Sequence, residues 1–260
     1  MKKLVLMLSM LAFVVVSNLV SANNYEVIRF GADPNYAPFA YKDTTAGNIG
    51  TLVGFEIDIG NAICAHLKVR CQWVESDFDG LVPSLRAGKI DAILASVTVT
   101  EARRKILDFS SEVFSSPSAM VFKAGTDLGD AKGKSVGYLQ GSTQEAYAKR
   151  VLAPKGMKVV AYADQEQVYA DLVSGRLNAS LQDAQQAQSG FLRSPQGAGF
   201  ELGKVIESEL MPSMSAIGIA KGNQALKILL DQGLAALHAD GTYARLQEQY
   251  FPGVDMFSGN

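Results

Sequence analysis

The chain is poor in the residues that bind metals or carry redox chemistry. Its 260 residues include two cysteines, Cys64 and Cys71, and two histidines, His66 and His238. The histidines lie far apart in sequence, so no metal site is expected, and no cofactor. An excess of one charge is missing too. Lys and Arg number 24 against 26 Asp and Glu, a formal net charge of −2. That balance gives no electrostatic reason for a nucleic-acid partner or an anionic membrane surface. Beyond residue 16 no apolar run approaches the ~20 residues of a membrane span, and no cysteine follows the early apolar run to carry a lipid. What is left is ordinary globular composition, 48% hydrophobic and 19% charged. The length suits one large domain or two modest ones with real cores.

The first residues stand apart from this. "MKK" is a basic start, "LVLMLSMLAFVVV" (4–16) an apolar core, and "VSA" (20–22) a small-residue cleavage site before Asn23. Residues 1–22 read as a signal peptide of the Sec type. The mature protein is expected to be exported and soluble, with no direct membrane insertion. In an exported chain, two cysteines this close, in "NAICAHLKVRCQW", point to a disulfide. Closing so short a loop contributes at most roughly 2–3 kcal/mol.

Strand-like and helix-period segments alternate along the chain. "EVIRFGA" (26–32) reads as a strand, "GFEIDIGNAICAHL" (54–67) as a helix, "LVPSLRAG" (81–88) as a short helix and "KIDAILAS" (89–96) as a strand. "SVGYLQ" (135–140), "KVVAYA" (158–163), "RLNASLQD" (176–183) and "SAIGIA" (215–220) read as strands, with helices at 142–152, 164–175 and 184–192. Two helices follow at the C-terminus. This alternation predicts an α/β protein with largely parallel sheets. "LRAGKIDAILAS" (85–96) also aligns with "LVSGRLNASLQD" (172–183). Each is a helix end, a glycine, a basic residue and a buried strand, so the chain reads as two similar α/β units. The alignment pairs Ser96 with Asp183, each at the C-terminal end of its strand, where open α/β sheets hold ligands.

Two helix starts carry polar chemistry. In "TEARRKIL", Thr100 reads as an N-cap, which puts Arg103 in the first turn, where a cation is mildly disfavoured. In "LQGSTQEAY" (139–147), Ser142 and Glu145 have capping-box spacing, and Gly141, Ser142 and Thr143 offer free N–H groups and hydroxyls to an anion. Each could be no more than a helix end with a solvated neighbour; together they offer one anion-suited helix start per unit. In "GADPNYAPFAY" (31–41), Asp33 ends the first strand and Tyr36 and Phe39 flank prolines, Phe39 reading as core. In "SDFDGLVPSL" (76–85), Phe78 precedes a helix that Asp77 or Asp79 could cap.

Taken in order, "GADPNYAPF", "GFEIDIGNAIC", "FDGLVPSLRAGKIDAIL", "LQGSTQE", "GRLNASLQD" and "ADGTYARLQEQYF" resemble periplasmic solute-binding proteins for polar amino acids, of the lysine/arginine/ornithine- and histidine-binding type. The resemblance covers the whole mature chain. It implies a two-lobed periplasmic-binding-protein fold of type II, with two α/β lobes joined by two hinge strands around a ligand cleft. Lobe I would hold residues 23–114 and 210–260, and lobe II residues 115–209. The implied function is to close on a basic L-amino acid and deliver it, as a monomer, to an inner-membrane ABC permease complex. By position, Arg103 takes the α-carboxylate with Thr98 and Thr143, beside Ser142. Asp183 takes the α-ammonium near Ser96. Tyr36 and Phe78 sandwich the side chain, Leu139 lines it, and Asp33 and Gln144 lie toward its far end. Cys64 and Cys71 occupy the positions of a family disulfide.

In that cleft Arg103 faces Asp33 and Asp183, one carboxylate in excess, so a cationic ligand neutralises the site while a neutral one leaves a buried charge unpaired. Ala95 stands where relatives often carry serine, the 42–54 loop is long, and "ESELMPSMSA" (207–216) lacks the usual aromatic-glycine stretch. The alternative on the same scaffold is a dehydratase acting on a prephenate- or arogenate-like substrate, whose negative charge Asp33 and Asp183 would repel.

Overall fold

The computed structural model describes residues 25–129 and 131–257. Residues 1–22, read above as a signal peptide, lie outside the described residues. Two five-stranded sheets form the frame. The first runs in the order Arg70–Glu75, Val27–Ala32, Ala92–Ile93, Met214–Ala220, Leu107–Ser115. The second runs Lys158–Tyr162, Ser135–Leu139, Ala179–Asp183, Ser118–Lys123, Phe200–Ile206. In each sheet the fourth strand runs antiparallel to both its neighbours, and the other four point the same way. The expectation of largely parallel sheets holds, with one reversed strand in each. Strands whose connections do not carry a helix return antiparallel.

The repeat seen in the sequence has a structural counterpart. Ala92–Ile93 and Ala179–Asp183 are each the third strand of their sheet. The 89–96 segment is a strand only over Ala92–Ile93. Beyond it the chain turns toward the cleft, and Ser96 takes a left-handed φ of 53°. The polypeptide passes between the sheets twice, from Ser115 to Ser118 and from Ile206 to Met214. The two crossings touch, Ser116 N–H donating to the Ser213 carbonyl at 2.9 Å.

The first lobe is held by an aromatic core. Phe39 is fully buried, its ring 4.8 Å from Phe114 and 5.1 Å from Phe251. The core reading of Phe39 is thus the right one. Helix Phe55–Leu67 lays Phe55, Ile59 and Ile63 into the same core. Cys64 at its end is joined to Cys71 across a left-handed turn at Lys68. The second lobe buries Tyr138, Val136, Leu181 and Val121 on the two faces of its sheet. No helix among the described residues is long and apolar enough to cross a membrane.

Candidate functional site

The carboxyl ends of both parallel strand sets face one cavity between the lobes. Asp33, Glu56, Ser96 and Arg103 reach it from one side, and Thr143, Gln144, Gln165, Gln182 and Asp183 from the other. Tyr36, Phe78, Thr98, Leu139 and Ser142 complete the wall. Every residue expected at the site from sequence thus meets in one place.

Thr100 caps its helix as expected, accepting from Arg103 N–H at 3.1 Å. That helix spans only Glu101–Arg104, a single turn. It has no separate first and last turn, so the dipole penalty expected for Arg103 does not arise. The guanidinium instead donates to two backbone carbonyls, Thr98 at 2.8 Å and Gly141 at 3.1 Å. It also lies over the Phe78 ring at 5.6 Å. Burial lowers Arg103 to about 10, against the attraction of Asp183, so the group stays cationic at neutral pH. Opposite it, Ser142 caps helix Thr143–Tyr147 by accepting from Glu145 N–H at 3.2 Å. The Glu145 carboxylate accepts from Gly141 N–H rather than from the cap residue. Asp77 occupies the N-cap position of the helix at Phe78 but makes no side-chain cap bond, and Asp79 accepts from Gln140 Nε2 at 2.6 Å across the cleft.

Asp183 is buried, and both its oxygens are engaged. Tyr36 O–H donates to Oδ2 at 2.8 Å and Gln144 Nε2 donates to Oδ1 at 2.9 Å. Tyr36 and Gln144, placed along and beyond the side chain by the sequence reading, therefore both converge on Asp183. Burial pushes Asp183 up to about 6 in spite of these bonds and of Arg103. Asp33, also buried, accepts from Asn35 N–H at 3.0 Å through Oδ1. Burial raises it to about 6 as well, with Asp77, Asp164 and Asp79 adding repulsion.

A third carboxyl was missed from sequence. Glu56 is 1% exposed and accepts from Ser96 N–H at 2.7 Å and from Ser96 Oγ at 3.0 Å. Burial pushes it to about 7, against those two hydrogen bonds, while Asp183 and Asp33 raise it further. An acidic residue in a helix's first turn reads as a dipole partner, so nothing in its local pattern marks it as a site residue. Its side chain holds Ser96 in the left-handed backbone at the cavity wall. Gln165 and Gln182 also escaped notice, although a glutamine inside the buried strand "ASLQD" is a polar intrusion that asks for a partner.

Around the cleft, bonds cross between the lobes from Tyr36 to Asp183, Arg103 to Gly141, Gln140 to Asp79, and Gln186 Nε2 to the Ala37 carbonyl at 3.0 Å. The cavity is therefore described in a closed arrangement. Among the described residues no group of three His, Cys, Asp or Glu could hold a metal ion.

Residues 28–253 match the model of the bacterial extracellular solute-binding proteins, family 3. The chain belongs to this family. As a family 3 solute-binding protein it is 41% identical over 261 residues to the lysine/arginine/ornithine-binding periplasmic protein of Escherichia coli (strain K12), covering 96% of this chain and 97% of that protein. It is 37% identical over 265 residues to the histidine-binding periplasmic protein of the same strain, covering all of both chains. Among solved structures, an ancestral arginine-binding protein bound to arginine superposes with a TM-score of 0.80 at 35% identity, covering 87% of this chain and 98% of that one. These relatives are binding proteins, and the family is one of solute binding rather than catalysis.

Proposed function

We propose that this protein is a periplasmic receptor that closes its two lobes on a basic L-amino acid and delivers it to an inner-membrane ABC importer. Arginine, lysine, ornithine and histidine are the candidate ligands. The observation that carries the reading is one half-buried arginine set among three buried carboxyls in a cavity shared by both lobes. Arg103 takes the α-carboxylate in a fork that lysine could not copy, with the Thr98 hydroxyl and the Thr143 N–H beside it. Asp183 takes the α-ammonium, oriented by Tyr36 and Gln144. Ser96 adds a hydroxyl near that end, and Asp33 faces the cationic end of the side chain. Phe78 and Leu139 pack against the methylenes. With Glu56 included, carboxyls outnumber the arginine by two, so a cationic side chain is favoured more strongly than Asp33 and Asp183 alone would require. The same excess opposes a prephenate-like dianion.

The lobes divide at the two crossings, with 23–114 and 210–260 in one and 115–209 in the other. The 1–22 leader sends the chain to the periplasm, where it acts as a monomer. Calorimetric titration of unfolded and refolded, ligand-free protein with the common L-amino acids tests the reading. A basic amino acid should bind most tightly. Tighter binding of a neutral or acidic one would overturn it.

A further inference from the structure

Three buried side-chain atoms lining the cavity have no hydrogen-bond partner: Asp33 Oδ2, Gln165 Oε1 and Gln182 Nε2. Their residues are 2%, 0% and 2% exposed, so bulk water does not satisfy them. The two amides are oriented by a shared hydroxyl. Gln165 Nε2 donates to Ser180 Oγ at 3.2 Å, and Ser180 Oγ donates in turn to Gln182 Oε1. This relay ties up one end of each amide. It leaves the acceptor of Gln165 and the donor of Gln182 for whatever fills the cavity.

The count is two acceptors and one donor, from both lobes. An ammonium or a guanidinium has donors only, so it can satisfy Asp33 and Gln165 but leaves Gln182 Nε2 unpaired. An unpaired buried donor is costly. A ureido group has two N–H-bearing nitrogens and one carbonyl, which matches all three atoms. It is also close to a guanidinium in size and shape, so a chain that fits arginine fits its ureido analogue. What a ureido group lacks is the charge that Asp33 prefers.

We propose that the far end of this cavity is a donor-and-acceptor subsite, in which Gln182 Nε2 reads a carbonyl, and that the protein therefore also binds ureido-ended L-amino acids of the citrulline type. This rests on reading the cavity as an amino-acid site. Gln182 is the specificity-determining residue for the ureido carbonyl. Gln165 serves ureido and guanidino ends alike, because its acceptor takes an N–H from either.

The test is calorimetric titration of refolded protein with L-citrulline, L-arginine and L-norleucine, the last having a straight side chain with no polar end. Wild type should bind citrulline at least about tenfold more tightly than norleucine and less tightly than arginine. Gln182→Met should lower the ratio of citrulline to arginine affinity at least about tenfold, whatever it does to both. Gln165→Met should weaken both and leave that ratio within about threefold, since it removes a shared acceptor. Citrulline binding no better than norleucine in wild type overturns the proposal without any variant. An unchanged ratio in Gln182→Met overturns it equally. Failure of arginine itself to bind overturns the basic-ligand reading instead, and the citrulline-to-norleucine comparison then judges this proposal alone.

Discussion

Gly190 offers a way to block lobe closure without touching the ligand cavity. It lies in the helical turn Ala187–Leu192, with no left-handed φ to protect. What requires glycine there is a neighbour from the other lobe. A Cβ at Gly190 would stand 2.2 Å from the Ala37 carbonyl oxygen and 3.0 Å from its carbon. Ordinary contact begins near 3.4 Å, so Gly190→Ala forces the lobes apart at this point by roughly an ångström. Backbone on one side and a helical turn on the other leave little room to relax. The opening severs the Gln186–Ala37 bond of 3.0 Å and stretches the Tyr36–Asp183 bond of 2.8 Å. A neutral hydrogen bond contributes about 0.5–1.5 kcal/mol and one to a charged group about 1.5–3; overpacking by one methyl costs a similar 1–3 kcal/mol. Both routes put the loss in the closed, ligand-bound form at about 2–3 kcal/mol, or roughly 30- to 150-fold in affinity. The open form does not feel the clash, and alanine in place of glycine in a helical segment stabilises it by about 0.5–1 kcal/mol. Titration calorimetry with arginine, paired with thermal melting of the ligand-free protein, separates the two. Affinity should fall for every ligand while ligand-free melting holds or rises slightly. Affinity within about threefold of wild type would refute the claim that binding needs this approach; a parallel drop in melting would mean ordinary damage to the fold.

Arg103→Ala should weaken arginine at least about 100-fold, since it removes a charge-assisted fork, and should abolish the preference for arginine over its carboxamide; titrations with both ligands check this. Asp33→Asn keeps the shape and removes the charge, so arginine and lysine should weaken more than any neutral amino acid; equal weakening of all ligands would make Asp33 structural. Burial holds Asp33 and Asp183 near 6 and Glu56 near 7 in the ligand-free closed cavity, all above their ordinary values. The closed form then holds protons that the open and unfolded chains release between about pH 4 and 7, so acid favours the ligand-free closed form. Arginine affinity should move the other way and fall between pH 7 and 5, by up to about tenfold for each carboxyl that must give up its proton; calorimetry across pH reads this, and a flat profile would refute it. Replacing both Cys64 and Cys71 by serine should cost at most roughly 2–3 kcal/mol and several degrees of melting temperature, with the order of ligand preference intact.

Near-neighbour chemistry made much of this protein legible in its sequence. Helix Phe55–Leu67, the caps at Thr100 and Ser142 and the parallel strands all follow from spacing within a few residues. So does the paired placing of Ser96 and Asp183, because the repeat puts Asp183 at the end of the third strand of its sheet and Ser96 just beyond the third strand of the other. The antiparallel returns and the edge strand Phe200–Ile206 were not readable from periodicity, since strand direction is set by connections rather than by side-chain pattern. The functions of Glu56, Gln165 and Gln182 were hidden for a different reason. Glu56 meets Ser96 40 residues away, and Tyr36 meets Asp183 147 residues away. Whether a polar side chain faces water, a partner or an empty cavity depends on which remote strand end packs beside it. A helix-start glutamate or a strand glutamine looks the same in sequence either way. Local pattern therefore determined the two α/β units and the ends of their strands. Only the packing of one unit against the other decided which polar atoms were left without partners, and so what the cavity is built to hold.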